Sequence, residues 1–276
     1  MPVDWKLIAM DLDGTLMNDD KAIDPPTHSA LMAAQAAGIR LLLASARPLP
    51  GLYRERDALS LQRYGGLLMA YNGGVIAEAD TGRVRFSRTM ALPAARQVLR
   101  QLEALPVTPI LDDGKQFYVT RRDGYMVDYE CRNNRMDCRE VADLAEALDF
   151  EPWKILLSAD PAIIRDIQAR IAGFLPEALR VVQTAPFYLE IIPTGIDKGT
   201  GLEAACRALG LSPQAAIAFG DAENDIGMLR TAGMGVAMGN ADERVKAAAR
   251  RVTLSNNDNG IAAALKELLT EVHHGA

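Results

Sequence analysis

The residues with the clearest chemical potential are Asp11 and Asp13, two carboxylates two positions apart and followed at once by Gly14. Brought together in a buried place they would repel and lose hydration unless a cation lay between them. A hard divalent ion such as Mg²⁺, which takes oxygen ligands, meets that need. Gly14 permits a sharp turn, so the backbone after Asp11 can close on a small anion. Farther along, Ser45 offers a hydroxyl and a backbone N–H to a phosphoryl oxygen. Lys198 places a cation at the start of a helix, where anions already bind well. Asp221, after Phe219-Gly220, would supply a third carboxylate to the same ion. Singly, each has a plain structural explanation: a strand-end cap, a turn serine, a solvated lysine, a helix cap. Their joint occurrence in one fold-consistent order is what points to chemistry.

Positioning these groups is the work of short apolar runs. Leu7-Ile8-Ala9-Met10, Ile39 to Ala44 and Ala215 to Phe219 read as strands buried on both faces, as in parallel sheets. Each run stops at a candidate group, and in open α/β sheets ligands bind beyond the carboxyl ends of the strands. A helix from Asp24-Pro25-Pro26-Thr27 to Gly38 joins the first two strands, and the right-handed crossover brings their ends to one crevice. A third strand, Gly66 to Tyr71, ends in the turn Asn72-Gly73-Gly74, and Val75 to Arg88 reads as a hairpin around Asp80-Thr81-Gly82. After Lys198 come a helix to Leu209, a helix through Met228-Leu229 to Gly233, a strand Gly235 to Met238 and a helix Ala241 to Arg250. Val252 to Leu254 is the last strand and Gly260 to Val272 the last helix, with His273 and His274 in a frayed tail.

Between about 84 and 190 the texture changes to short or alternating strands with helices among them. The pattern predicts strands at 84–89, 107–112, 116–121, 153–159, 179–184 and 187–192, and helices at 92–104, 138–147 and 161–173. Phe117-Tyr118-Val119-Thr120 alternates as in a sheet with one open face, and Asp112-Asp113-Gly114-Lys115 is a turn. The chain is therefore an α/β protein: a Rossmann-like parallel-sheet core over 1–83 and 191–276, with an inserted α+β domain over 84–190.

A net charge of −6, with no basic cluster beyond Arg250-Arg251, argues against nucleic acid as a partner. No apolar run is long enough to span a membrane, and Met1 to Lys6 lacks a signal-peptide pattern. Cys131, Cys138 and Cys206 are odd in number and lack metal-site spacing, so they read as reduced structural thiols of a cytoplasmic protein.

Taken together, the motifs resemble those of haloacid-dehalogenase-superfamily phosphatases, most closely the Cof-type hydrolases with a large α/β cap after the third core strand. The resemblance runs through Asp11-Leu12-Asp13-Gly14-Thr15, Ser45-Ala46-Arg47, Lys198 and Gly220-Asp221-Ala222-Glu223-Asn224-Asp225. Tyr71-Asn72-Gly73-Gly74 and Gly235-Val236-Ala237-Met238-Gly239-Asn240-Ala241 match the same subgroup. One departure is Ala46, where the family usually has glycine; a methyl group there narrows the phosphate pocket, or shifts the backbone if φ must be positive.

The resemblance implies that Asp11 is the nucleophile and Asp13 the general acid–base. It implies Mg²⁺ held by Asp11, the Asp13 carbonyl and Asp221, with Asp225 supporting that shell. Ser45, Lys198, Asn224 and the N–H groups of Leu12 and Ala46 would hold phosphate oxygens, whereas Arg47 is left between an ion pair and a substrate contact. The cap would act as a lid over the leaving group; Tyr118, Arg132 and Arg135 are its polar candidates, the arginines reading better as a solvated face. The implied activity is hydrolysis of small phosphate esters, sugar phosphates first, by a monomer or weak homodimer. A phosphomutase or phosphotransferase could use the same motifs; a non-catalytic sensor would not need both Asp11 and Asp13.

Overall fold

The computed structural model describes residues 4–270. Two compact units divide the chain. Of the described residues, the first comprises those through Ala46, Leu52–Ser87 and those from Asp197 onward; the second comprises Arg47–Gly51 and Arg88–Ile196.

The first unit opens with strand β1 (Leu7–Asp11), helix α1 (Pro25–Ala36) and strand β2 (Arg40–Ala44). Helix α2 (Tyr53–Ala58), strand β3 (Leu67–Ala70) and the hairpin β4 (Val75–Glu78) and β5 (Val84–Ser87) follow. Every residue of β1 is buried, which is why the run reads as apolar on both faces until it meets Asp11. Asp24 and Pro25 open α1 as the sequence predicts, and the hairpin turns at Gly82 with φ +69°.

The second unit contains α3 (Leu92–Leu102), β6 (Thr108–Asp112), β7 (Gln116–Val119), α4 (Val127–Asn134), β8 (Asp137–Glu140), α5 (Leu144–Ala147), β9 (Ile155–Ser158), α6 (Ile164–Ala172), β10 (Leu179–Ala185) and β11 (Tyr188–Pro193). Its strands run in the order β10-β11-β9-β6-β7-β8, antiparallel except for the β7–β8 pair. Alternate strand residues feed two apolar clusters. Leu111, Leu157 and Leu189 pack with Val98, Leu99 and Ile167 of α3 and α6. Ile110, Phe117, Leu156 and Tyr188 pack with Val127 of α4. Helices thus pack on both faces of the sheet, while along β7 Phe117 and Val119 are buried and Gln116 and Tyr118 half-buried, as the alternation implies.

One correction concerns the helix expected over 138–147. Residues 137–140 instead form β8, in register with β7 through Phe117↔Cys138, and only Cys138 of the four is buried. Asp143 then caps a single helical turn by accepting the Glu146 N–H at 3.0 Å. Alternation along Asp137 to Glu140 is too short, and too charged, to announce a strand. Helix α4 went unanticipated because its residues are mostly polar and it starts and stops at Met126 and Arg135, both with positive φ.

Back in the first unit, the chain continues with α7 (Lys198–Leu209), β12 (Ala216–Gly220), α8 (Ile226–Thr231), β13 (Met234–Ala237), α9 (Glu243–Ala248), β14 (Arg251–Val252) and α10 (Gly260–Thr270). His273 and His274 lie outside the described residues. Among the described residues the first unit forms an eight-stranded sheet ordered β14-β13-β12-β1-β2-β3-β4-β5, parallel up to β3 and antiparallel at its last two pairs. Parallel pairing, buried faces and helical crossovers make this the expected Rossmann-like α/β core. No helix among the described residues is long and apolar enough to cross a membrane.

Candidate active site

Strand register brings the chemical groups together. β1 lies between β12 and β2, with Met10 level with Phe219 and Asp11 level with Ala44. Asp11, Ser45 and Asp221 therefore leave the sheet at the same end of three adjacent strands.

Lys198 reaches them from the first turn of α7. Asp197 caps that helix by accepting the Thr200 N–H at 2.8 Å, while Thr200 Oγ1 accepts the Asp197 N–H at 3.1 Å. The next residue, Gly199, sits where a Cβ would fall 2.8 Å from the Gly227 backbone, so its lack of a side chain lets α7 press against α8. Lys198 is fully buried as a result, and its ammonium donates at 2.5 Å to Asp11 Oδ1 and at 2.5 Å to Asp225 Oδ1. The other Asp225 oxygen accepts the Asp221 and Ala222 N–H groups at 3.0 Å each. Asp225 thereby fixes both the lysine and the turn that carries Asp221.

Asp221 Oδ1 accepts the Thr15 hydroxyl at 2.6 Å. Gly14 has φ +81°, and a Cβ there would lie 2.4 Å from Asp221 Oδ2, so no other residue fits between the first aspartates and the third. Asn240 Nδ2 holds the Gly14 carbonyl at 2.9 Å. Asn224 donates to Asn72 Oδ1 at 2.9 Å, and Asn72 is itself in the left-handed region at φ 54°. Asp13 stands apart from the buried carboxylates: its side chain is part-exposed and its Oδ1 accepts the Lys21 ammonium at 2.5 Å.

Among the described residues Asp11, Asp221 and Asp225 each present an oxygen within 4.8 Å of the others. Fully ionised, three carboxylates against one ammonium would leave two surplus negative charges in a largely buried place. Burial pushes Asp11 up to about 8, and Asp225 and Asp221 add to the rise, so Lys198 only partly offsets it. Burial also raises Asp221, to about 6, against the Thr15 hydrogen bond. For Lys198, burial disfavours the ammonium, but Asp11 and Asp225 outweigh it and hold its pKa above the usual range. An oxygen-only, net-negative set fits a hard divalent cation. Because both Asp225 oxygens are engaged, Asp11 and Asp221 are the carboxylates suited to hold one.

The remaining expectations divide. Ser45 is buried at the end of β2, but its N–H donates to Met69 O at 2.9 Å, so that amide belongs to the sheet and not to an anion. The Ser45 carbonyl accepts the Asn72 N–H at 2.9 Å. Ala46 is not among the residues with positive φ, so the family's usual glycine is not required here for its backbone freedom. Leu12 is fully buried, which leaves its backbone as the chemical part. Arg47 belongs to the second unit, where its Nη1 donates to Gly51 O at 3.3 Å. In that unit the Tyr118 hydroxyl donates to Asp113 Oδ2 at 2.9 Å, and Arg132 and Arg135 are exposed. Reading by residue type passed over Thr15, Asn72, Asn240 and Lys21 as site residues. The first three lie inside motif strings already singled out, and only their side-chain bonds reveal a role.

Compared with known proteins, the chain matches the family of haloacid dehalogenase-like hydrolases over residues 8–265. It is 30% identical over 270 residues to the 5-amino-6-(5-phospho-D-ribitylamino)uracil phosphatase YitU of Bacillus subtilis, covering 95% of this chain and 96% of that protein. A phosphoglycolate phosphatase of Methanopyrus kandleri is 28% identical over 277 residues, covering 96% and 98%. The crystal structure of a haloacid dehalogenase-like hydrolase from Bacteroides thetaiotaomicron superposes with a TM-score of 0.87 at 32% identity, covering 96% of this chain and 99% of that one. The acidic strand-end cluster, its buried lysine and this full-length similarity lead to one statement: the chain belongs to the haloacid dehalogenase-like hydrolases, and relatives it matches are named as phosphatases.

Proposed function

We propose that this chain is a Mg²⁺-dependent phosphomonoesterase that hydrolyses small phosphorylated metabolites, sugar phosphates foremost, through an aspartyl-phosphate on Asp11. The observation that carries the reading is the Asp11 carboxylate held by Lys198 at the end of β1, with Asp221 beside it and surplus negative charge around it. A structural ion pair alone would not want that surplus.

In this reading an Asp11 oxygen attacks phosphorus as the bond from phosphorus to the leaving oxygen breaks. Asp13 gives its proton to that oxygen. Asp13, now ionised, takes a proton from a water that attacks the phosphoryl group, which releases inorganic phosphate and regenerates the Asp11 carboxylate. Lys198 offers positive charge to the phosphoryl oxygens, and the Ser45 hydroxyl, Asn224 side chain and the N–H groups of Leu12 and Ala46 are the further candidate donors. Asp225 touches no substrate; it keeps Lys198 and the Asp221 turn in place. Asp11, Asp221 and the Asp13 carbonyl would hold Mg²⁺, which supplies charge neutralisation between a carboxylate nucleophile and a phosphate.

The two relatives named above carry different substrates in their names, both of them phosphorylated small molecules, and this supports the class without choosing a member. The free thiols Cys131, Cys138 and Cys206 support a reducing, cytoplasmic setting. The test is a panel of phosphate esters assayed with Mg²⁺ and after exhaustive chelation, with intact-mass detection of phosphoryl-enzyme. Turnover that needs Mg²⁺ and loses the added mass in Asp11→Asn is expected. Undiminished turnover in chelator would overturn the metal assignment, and phosphoryl mass surviving in Asp11→Asn would overturn the nucleophile.

A further inference from the structure

Asp13 is the odd member of the site. Asp11, Asp221 and Asp225 are packed into the protein, whereas the Asp13 side chain is 40% exposed on the loop after β1. A carboxylate in that position samples several rotamers unless something holds it. Lys21 is placed to do so: its Nζ lies 2.5 Å from Asp13 Oδ1.

Lys21 is unusual in its own backbone. It has φ 57°, a left-handed conformation that a residue with a Cβ adopts at a cost and that glycine takes freely. The loop imposes it: Lys21 N–H donates to Asn18 O at 3.0 Å, Asn18 N–H donates to Ala22 O at 3.0 Å, and Ala22 N–H donates to Asn18 Oδ1 at 3.0 Å. A tight turn closed in this way calls for a left-handed residue at position 21, and glycine or asparagine is the ordinary occupant. The loop is then pinned from outside. Arg54 Nη2 donates to the Lys21 carbonyl at 2.7 Å and is paired at 2.6 Å with Glu55, whose side chain is 2% exposed. Asn18 Nδ2 donates to Asp24 Oδ1 at 2.8 Å at the entrance to α1.

Stability does not account for a lysine here. The Lys21–Asp13 pair is about half in solvent, with side chains 52% and 40% exposed, and such pairs contribute little. A left-handed residue with a Cβ costs more than that pair returns. Strain that persists beside a chemical group, on a backbone that its surroundings over-determine, is reason to look for function.

We propose that Lys21 is a positioning residue for Asp13: it holds the carboxyl group where it can give a proton to the leaving oxygen and take one from water. The inference rests on the phosphomonoesterase reading above and adds to it the residue on which proton transfer depends. Lys21 itself neither gives nor takes the proton; its ammonium orients one Asp13 oxygen. Proton transfer is demanding of geometry, so loosening the carboxyl group slows the steps that use it and spares those that do not. Esters with poor leaving groups use it in the first step, while p-nitrophenyl phosphate does not.

The decisive variant is Lys21→Gly, since glycine suits the backbone better than lysine and so separates the turn from the side chain. The expected outcome is a melting temperature unchanged or raised. With Mg²⁺, kcat/KM for an alkyl phosphate should fall by about tenfold or more, and the p-nitrophenyl phosphate burst should stay within about threefold of wild type. Phosphoryl mass on the enzyme should build up at steady state with the aryl ester, because the water step also needs Asp13. Lys21→Arg should recover most of the alkyl activity, since a cation again reaches Asp13. An equal fall for both esters would assign Lys21 to drawing in the phosphate and would overturn the proposal. Unchanged alkyl turnover in Lys21→Gly would overturn it too while leaving the phosphomonoesterase reading intact. If the wild-type enzyme hydrolysed neither ester in Mg²⁺, that reading would fall and this inference with it.

Discussion

Lys198 and Asp225 form a fully buried ion pair, with Nζ donating to Oδ1 at 2.5 Å and neither side chain exposed. Such a pair is a poor source of stability by itself, because two lost hydration shells offset the attraction. Its sense lies in the third member: the same ammonium reaches Asp11 at 2.5 Å, and the same carboxylate fixes the backbone of Asp221 and Ala222. Two strand ends and one helix start are thereby tied to a common charge.

Asp225→Asn should break that tie from the inside. An amide can keep the bond from Lys198 through its oxygen, but its NH₂ then faces the Asp221 and Ala222 N–H groups, donor against donors. Leaving buried groups unpaired costs about 1–3 kcal/mol each by removal of a partner. We expect a loss of about 3–5 kcal/mol in urea unfolding and a fall in kcat of at least about 100-fold. Wild-type unfolding and turnover would show that Asp225 is not the support described.

The crowded carboxylates also make stability depend on pH in a stated direction. Asp11 rises from 3.8 to about 8, so between those values the folded protein holds a proton that the unfolded chain releases. Stability contributed by that proton is present at low pH and is lost as pH rises through about 8. Asp221, raised to about 6, adds to the slope in the lower part of the window. Lys198 is also raised, but from 10.5, so its contribution persists through this window and is lost only at more alkaline pH. The chelated enzyme should therefore lose stability from pH 5 to 8. Asp11→Asn should flatten that slope and be the more stable protein at pH 8 in chelator, by about 1–3 kcal/mol. Mg²⁺ should narrow the gap. Parallel pH profiles for the two proteins would refute the electrostatic account.

Lys154 and Glu190 make a second buried pair, in the other unit, at 2.7 Å with side chains 4% and 2% exposed. Glu130, raised by burial, and Asp112 also face Lys154. Lys154→Met strands this negative charge and should cost about 3–5 kcal/mol. Adding Glu190→Leu should recover most of that loss in a double-mutant cycle read by denaturant unfolding. A double variant no better than the single would show that the lysine chiefly serves Glu130 and Asp112.

How far the sequence speaks for the structure depends on the kind of pattern. The core was legible because β1, β2 and β12 are buried on both faces and each apolar run ends at a chemical group. Asp11, Asp221, Lys198 and Asp225 come together because strand register and the α7 cap leave them little choice. The second unit was less legible. Its β8 has one buried residue in four and its α4 lacks an apolar stripe, so neither has a period to read. The Ser45 N–H was given to an anion although a buried strand end already has a partner for it in Met69. Lys21 left no mark at all. Its meaning lies in a backbone angle and a single contact, and neither is written in residue type.

The sharpest remaining test separates Asp11 from Asp13. Asp11→Asn removes the group proposed to attack phosphorus, so no phosphoryl-enzyme should form with any ester. Asp13→Asn keeps the backbone carbonyl proposed for Mg²⁺, so metal affinity measured by calorimetry should stay within about threefold of wild type. It removes the proton donor and the base. An alkyl phosphate, whose leaving oxygen needs that proton, should stall before transfer, with turnover down by about 100-fold or more. p-Nitrophenyl phosphate leaves without help, so its first step should survive while the water step slows. The Asp13→Asn enzyme should thus give a burst of nitrophenol and carry one phosphoryl mass per chain. A burst that persisted in Asp11→Asn, or loss of Mg²⁺ binding in Asp13→Asn, would show that the two roles are wrongly divided. Equal loss of both steps would instead mean that Asp13 acts on the phosphate and not on the proton.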